Sequence, residues 1–155
     1  MNIIFPLTST LHTLAAVVWV GGMFFAHMAL RPALMQERPE SRLVIWANVL
    51  PRFFVWVWVS VFVLPATGYT MVFFDFGDFA SAGRHVELMH ALAWVMITLY
   101  IFMFFKPYAA FKKAVKTEDF PTAGIHLFAI RRVVTTNLIL GIITIIAGVS
   151  GRFWG

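Results

Sequence analysis

The chain opens on a long run without a charged side chain, residues 1–30, which read MNIIFPLTSTLHTLAAVVWVGGMFFAHMAL. About 20 apolar residues cross the hydrocarbon core of a bilayer, so this run is long enough to span one. It lacks a basic segment ahead of its apolar part, and that part is too long for a signal peptide, so we expect a retained helix. His12 and His27 lie within it. An ionisable group inside a membrane usually has a partner, a metal or a pathway to serve.

Three further runs lack Asp, Glu, Lys and Arg, namely residues 53–74, 88–105 and 133–151. Of the 155 residues, 61% are hydrophobic and 12% are charged, whereas a soluble domain carries about a quarter charged residues. We therefore predict an all-α, polytopic membrane protein with a single domain, residues 1–155. That domain is a bundle of four transmembrane helices at about residues 6–30, 52–74, 86–106 and 130–151, with cytoplasmic loops at residues 31–51 and 107–129.

The distribution of basic residues predicts the orientation of the bundle. All of the 12 Lys and Arg residues except Arg84 and Arg152 fall within residues 31–52 and 106–132. By the positive-inside rule these two segments are cytoplasmic, so both termini face outward. The same residues would lie against the anionic headgroups of the lipid bilayer. The net charge of +5 therefore requires no nucleic acid partner.

Local signals predict two helix starts and one packing face. Arg38-Pro39-Glu40 is typical of a helix start with Pro in the first turn, and residues 117–121 indicate a second one. Small residues let helices approach closely, and Asn or Thr can bond across the contact. A stripe of this kind lies on the fourth helix, formed by Asn137, Gly141, Thr144 and Gly148. We interpret this stripe as a close-packing face.

The histidines separate by expected depth. His12 lies near the outer end of the first helix, while on the third helix His85 lies at the outer rim and His90 about a turn and a half deeper. His12 and His90 can therefore share one depth on different helices, as a bis-histidine haem or a two-histidine metal site requires. His27 lies roughly 22 Å further along the first helix than His12. Its sole candidate histidine partner is His126, so a second haem has little support.

The candidate metal ligands combine imidazole with thioether. The chain has no cysteine, so thiolate sites and iron–sulfur clusters are excluded. Imidazole together with thioether suits Cu(I) better than a hard cation, although core packing is the simpler interpretation of any single Met. The candidate metal ligands are His12, His90, Met89, Met23, His27 and His85.

Arginines at the inner boundary are candidates for binding an anionic group. Arg52 and Arg131, with Arg132 beside it, fall where the predicted helices meet the cytoplasm. They are placed to bind a lipid headgroup or the propionates of a porphyrin, so with His12 and His90 they are the candidate cofactor-binding residues. The positive-inside rule alone is also sufficient to explain them.

Several segments resemble the copper-resistance D (CopD) family. Residues 11–25, LHTLAAVVWVGGMFF, are similar to its opening helix, and residues 29–34, ALRPAL, to its continuation. Pro51-Arg52-Phe53-Phe54, and Arg131-Arg132 followed by NLILG at residues 137–141, also resemble it. The resemblance implies a multi-pass protein of the bacterial inner membrane, linked to copper uptake or tolerance. Larger members carry more helices and some are joined to a copper-binding domain, which makes a homo-oligomer or a periplasmic copper protein the expected partner.

A more distant resemblance is to the HemJ-type protoporphyrinogen oxidases. These are also small four-helix proteins with a histidine in the first helix, as His12 is here. That family places a lysine within its third helix, whereas this chain has none in residues 88–105 and has His90 in that neighbourhood. The difference weakens the oxidase interpretation but suits haem ligation.

Three hypotheses follow. The leading one is a copper-handling membrane protein that holds a copper ion between His12 and His90, with Met89 or Met23 as softer ligands. The first alternative is a redox protein with one haem b between the same histidines, or a porphyrin oxidase. The second is a non-catalytic assembly factor. The acidic residues all lie outside the four uncharged runs and no nucleophile–base constellation is visible, so a non-enzymatic role is favoured.

Overall fold

The computed structural model describes residues 3–154 and consists of four long helices. They are α1 (Ile4–Gln36), α2 (Pro39–Phe76), α3 (Arg84–Lys116) and α4 (Phe120–Ser150). A short helix, Phe79–Ala82, joins α2 to α3. Residues 3–154 contain no strand, and each long helix is apolar and long enough to cross a membrane. The predicted all-α, four-helix transmembrane fold is therefore confirmed, while the side on which the termini lie stays a prediction.

The helices extend well beyond the uncharged runs that predict them. Residues 31–51 and 107–129, which we predicted as cytoplasmic loops, are largely helical. The reason is that Lys, Arg and Glu mark the edge of the hydrocarbon region but are good helix formers, so they do not end a helix. Within these two segments, the interruptions between helices lie at the two predicted helix starts. Pro39 begins α2, and the carboxylate of Asp119 accepts a hydrogen bond from the backbone N–H of Thr122 at 3.2 Å at the start of α4.

Helix α1 packs along α2, and α3 packs along α4. At Gly141 of α4, a Cβ atom would lie 2.7 Å from Val20 Cγ2 and 3.3 Å from Met96 Cε, so α1 and α3 both reach α4 there. The side-chain amide of Asn137 donates to the carbonyl of Met96 at 3.1 Å. The predicted close-packing face on α4 is therefore confirmed.

We call the end of the bundle that holds Ile4 and Ser150 the outer end, and the opposite end the basic end. Aromatic side chains fill the bundle between its middle and the basic end. Tyr100 lies at the centre of this core, with its ring centroid 5.7 Å from that of Phe54 and 5.2 Å from that of Trp58. Phe111 is fully buried closer to the basic end. In the outer half, Tyr69, Phe73 and Phe79 form another aromatic group, and a cavity lies beside it.

Candidate functional site

A cavity of about 440 Å³ lies in the outer half, between all four helices. Small residues leave this space, among them Gly68 on α2 and Gly148 on α4. The wall is mainly apolar. Its polar or soft side chains include His12, Tyr69, His85, Met89, His90 and Trp94. The fold therefore brings His12, His85, Met89 and His90 to one space, which we call the histidine cavity.

His12 is held by one ring nitrogen. Its Nδ1 lies 2.8 Å from Thr67 Oγ1, and the Thr67 hydroxyl lies 2.7 Å from the carbonyl of Val63. Because a hydroxyl has one hydrogen, which goes to that carbonyl, Thr67 Oγ1 accepts from Nδ1–H of His12. The ring also contacts the backbone carbonyl of Leu64, which can only accept. The lone pair is then on Nε2. Histidine ligands of metals usually have this arrangement, with the second ring N–H anchored.

His90 is held in a different way. Its Nε2 lies 2.8 Å from the Tyr69 hydroxyl on α2 and 3.0 Å from Trp94 Nε1, one turn along α3. An indole N–H can only donate, so Nε2 of His90 is an acceptor and the ring proton is on Nδ1. The ring of Phe79 covers this group, with its centroid 5.0 Å from that of His90. The lone pair of His90 is therefore already engaged by protein donors.

Met89 and His85 lie where α3 approaches α4. A Cβ atom at Gly148 would lie 3.2 Å from Met89 Sδ, so the thioether packs against α4. His85 packs directly on Gly151 at the outer rim of the cavity. Within residues 3–154 there is no group of three His, Asp or Glu side chains placed to hold a metal ion.

The other predicted site residues lie outside the histidine cavity. Met23 is in the apolar core, with 2% of its surface exposed. His27 lies towards the basic end, with Nδ1 3.5 Å from Thr135 Oγ1, and Arg131 lines the same small pocket as His27. Arg52 is exposed, and its guanidinium donates to a carbonyl of its own helix.

The structure adds three residues that sequence reasoning did not find, Thr67, Tyr69 and Trp94. Trp94 has a detectable signal, since it follows His90 by four residues and so shares a helical face with it. Thr67 and Tyr69 have no such signal. Their roles depend on which face of α2 meets α1 and α3, and the nearly uniform apolarity of α2 does not reveal that face.

Fold and cavity together define a class, a small multi-pass membrane protein with an intramembrane cavity lined by histidines. The family model described as copper resistance protein D matches residues 47–150, which is more than half of the chain. The chain therefore belongs to the copper resistance protein D family, as the resemblance predicts, and is a multi-pass membrane protein related to copper resistance. The match includes His85, Met89 and His90 but leaves out α1 and with it His12. None of the curated proteins and none of the solved structures matches the chain significantly.

Proposed function

We propose that the histidine cavity binds copper as Cu(I), with Nε2 of His12 as the first ligand. The observation that carries this proposal is the contact of His12 Nδ1 with Thr67 Oγ1 at 2.8 Å, since the tautomer that it favours leaves the lone pair on Nε2. Imidazole is the commonest protein ligand of transition metals. Membership of the copper resistance protein D family supports copper as the metal.

Met89 is the proposed soft ligand. Its thioether and the imidazole of His12 line the same cavity from different helices, and this ligand pair favours Cu(I) over hard cations. Cu(I) accepts low coordination numbers, so it does not need a cluster of three histidines or carboxylates. His90 and His85 are the remaining candidate ligands, and His90 would first have to release Tyr69 and Trp94.

The position of the cavity suggests the route of the metal. It lies in the outer half of the bundle, and the charge distribution predicts that this half faces away from the cytoplasm. We therefore propose a bacterial inner-membrane protein that exchanges copper with a periplasmic copper protein or with a second copy of itself. His27, near the basic end, is the proposed later ligand if the metal crosses the membrane.

The test is Cu(I) binding by purified protein in detergent under reducing conditions, measured by competition with a chromogenic chelator. His12→Ala should lose high-affinity binding. His126→Ala is the matched control, because His126 is also a half-buried helical histidine but does not line the cavity. Equal affinities for the two variants would reject His12 as a ligand.

A second candidate function is the binding of one haem b. The cavity volume of about 440 Å³ far exceeds that of a single ion and lies within the roughly 300–1,000 Å³ common for small-molecule sites. His12 and His90 approach it from α1 and α3. An absorption spectrum of the purified protein separates the candidates, since a Soret band that shifts on dithionite reduction would favour haem. With neither haem nor copper bound, the role of an assembly factor would remain.

A further inference from the structure

A second site lies at the basic end, where three helices each contribute an arginine without a carboxylate partner. They are Arg31 on α1, Arg42 on α2 and Arg131 on α4, and the charges of Arg31 and Arg42 act on Arg131. Among residues 3–151, the one ion pair is between Arg38 and Glu40, at 4.0 Å. The guanidinium of Arg42 contacts Met35 Sδ at 3.3 Å, and a thioether is a weak acceptor. Positive charge is therefore concentrated here without protein compensation.

Two buried donors at the same place also lack an acceptor. They are Nε of Arg131 and Nε1 of Trp46. Both side chains line one small pocket, with room of about 30 Å³, that also includes Arg31 and His27. Buried donors are nearly always satisfied, so each exception calls for an explanation, such as a bound ion or water. We call this site the arginine pocket.

We propose that the arginine pocket binds a phosphate group. A phosphate has several acceptor oxygens, which suits two unsatisfied donors, and a negative charge, which suits the two guanidinium groups that line the pocket, those of Arg31 and Arg131. The pocket itself has room for only a few oxygen-sized atoms, so the oxygens of the phosphate enter it and the rest of the molecule stays outside. Basic pockets between transmembrane helices at the cytoplasmic side are known to receive lipid headgroups. The phosphate belongs either to an anionic phospholipid or to free phosphate, and neither source depends on copper.

The test compares Arg131→Gln with Arg132→Gln. Arg132 is adjacent and exposed but does not line the pocket, so the two variants have the same net charge. Binding of phosphatidylglycerol, of diacylglycerol, which lacks a phosphate, and of inorganic phosphate to the purified protein is measured by native mass spectrometry and by the shift in thermal unfolding temperature. Arg131→Gln should weaken phosphatidylglycerol binding about ten-fold, as expected for loss of one charge-assisted hydrogen bond. Arg132→Gln should leave it nearly unchanged.

Trp46→Phe provides a second variant that keeps an aromatic side chain and removes the N–H donor, and it should weaken binding several-fold even if Arg131→Gln does not fold. Displacement of phosphatidylglycerol by inorganic phosphate would support the site with free phosphate as an occupant. Binding of phosphatidylglycerol without such displacement would support the lipid headgroup. Equal affinity for phosphatidylglycerol and diacylglycerol, or equal losses in Arg131→Gln and Arg132→Gln, would overturn the proposal.

Discussion

Thr67 decides which nitrogen of His12 is available to a ligand. Its hydroxyl donates to the carbonyl of Val63 at 2.7 Å, so its oxygen is left to accept from the imidazole. This pair of bonds selects one tautomer of His12 and restricts the rotation of its ring. In the proposed Cu(I) site, a histidine whose ring is fixed in this way would be positioned before the metal binds.

Replacing Thr67 with Val should therefore weaken Cu(I) binding while leaving the fold intact. Val has nearly the same shape but cannot accept from Nδ1–H, and loss of such an anchor typically lowers metal affinity about 10- to 100-fold. The control is Thr70→Val, because the Thr70 hydroxyl bonds only within its own helix, to Ala66. Chelator competition on both variants gives the measurement. Equal affinities would mean that Thr67 does not position the ligand.

At the scale of the helix, α4 holds glycines with very different surroundings. Gly141 is in close contact with α1 and α3, whereas a Cβ atom at Gly124 would meet nothing within 4 Å. A glycine in a helix interior costs roughly 1 kcal/mol relative to alanine. Gly141 has this cost, but its lack of a side chain lets α1 and α3 approach α4 closely.

The substitution Gly141→Ala should accordingly destabilise the protein by about 1–3 kcal/mol, because the new methyl group overlaps with Val20. The same substitution at Gly124 should be neutral or should stabilise α4 by roughly 1 kcal/mol. Unfolding in detergent, followed by circular dichroism, compares the two. A stable Gly141→Ala protein would show that α1 can move away from α4 at little cost.

The start of α4 should respond to pH. Hydrogen bonds from the side chain and backbone of Thr122 hold the pKa of the Asp119 carboxyl below its ordinary value of 3.8. The capping contribution of Asp119 is therefore fully present above this ordinary value and is lost as the pH falls through the lowered pKa. An NMR titration of the Thr122 amide should report a midpoint below 3.8. In Asp119→Asn, which still caps but does not titrate, this transition should be absent.

Helix number and two helix starts could be predicted from sequence because they depend on local features. Uncharged runs of sufficient length predict spans, and Pro39 and Pro121 mark first turns. The extent of the helices was harder to predict, because charged residues end the hydrocarbon region without ending the helix. The candidate site was predicted in part. Depth along the helices pointed to His12 and His90, but the anchoring of His12 by Thr67 depends on helix rotation, which an apolar sequence does not encode locally.

The molecule as a whole is asymmetric along its long axis, with a histidine cavity towards one end and an arginine pocket towards the other. The charge distribution predicts that the arginine pocket faces the cytoplasm. Absence of cysteine makes this prediction easy to test, because any introduced cysteine is a unique label.

Asp75→Cys, at the end of α2, should react with a membrane-impermeant maleimide in intact cells whose outer membrane has been permeabilised. Lys116→Cys, at the end of α3, should react only after the inner membrane is broken. Both side chains are exposed in the structure, so a difference in labelling reports the side of the membrane on which each residue lies. The reverse pattern would invert the bundle and place the histidine cavity towards the cytoplasm.

The hydrogen bonds of His90 with Tyr69 and Trp94 affect how fast a bound copper ion would dissociate. A copper ion that takes Nε2 of His90 displaces two donors, each bond contributing about 1 kcal/mol. When the ion departs, the phenol and the indole return to the nitrogen they left and recover those bonds. Because these two donors replace the copper ion at Nε2 of His90, dissociation of the ion leaves none of the three side chains without its hydrogen bond. In the proposed copper site, His12 would therefore be the tighter ligand and His90 the ligand from which the ion dissociates more readily.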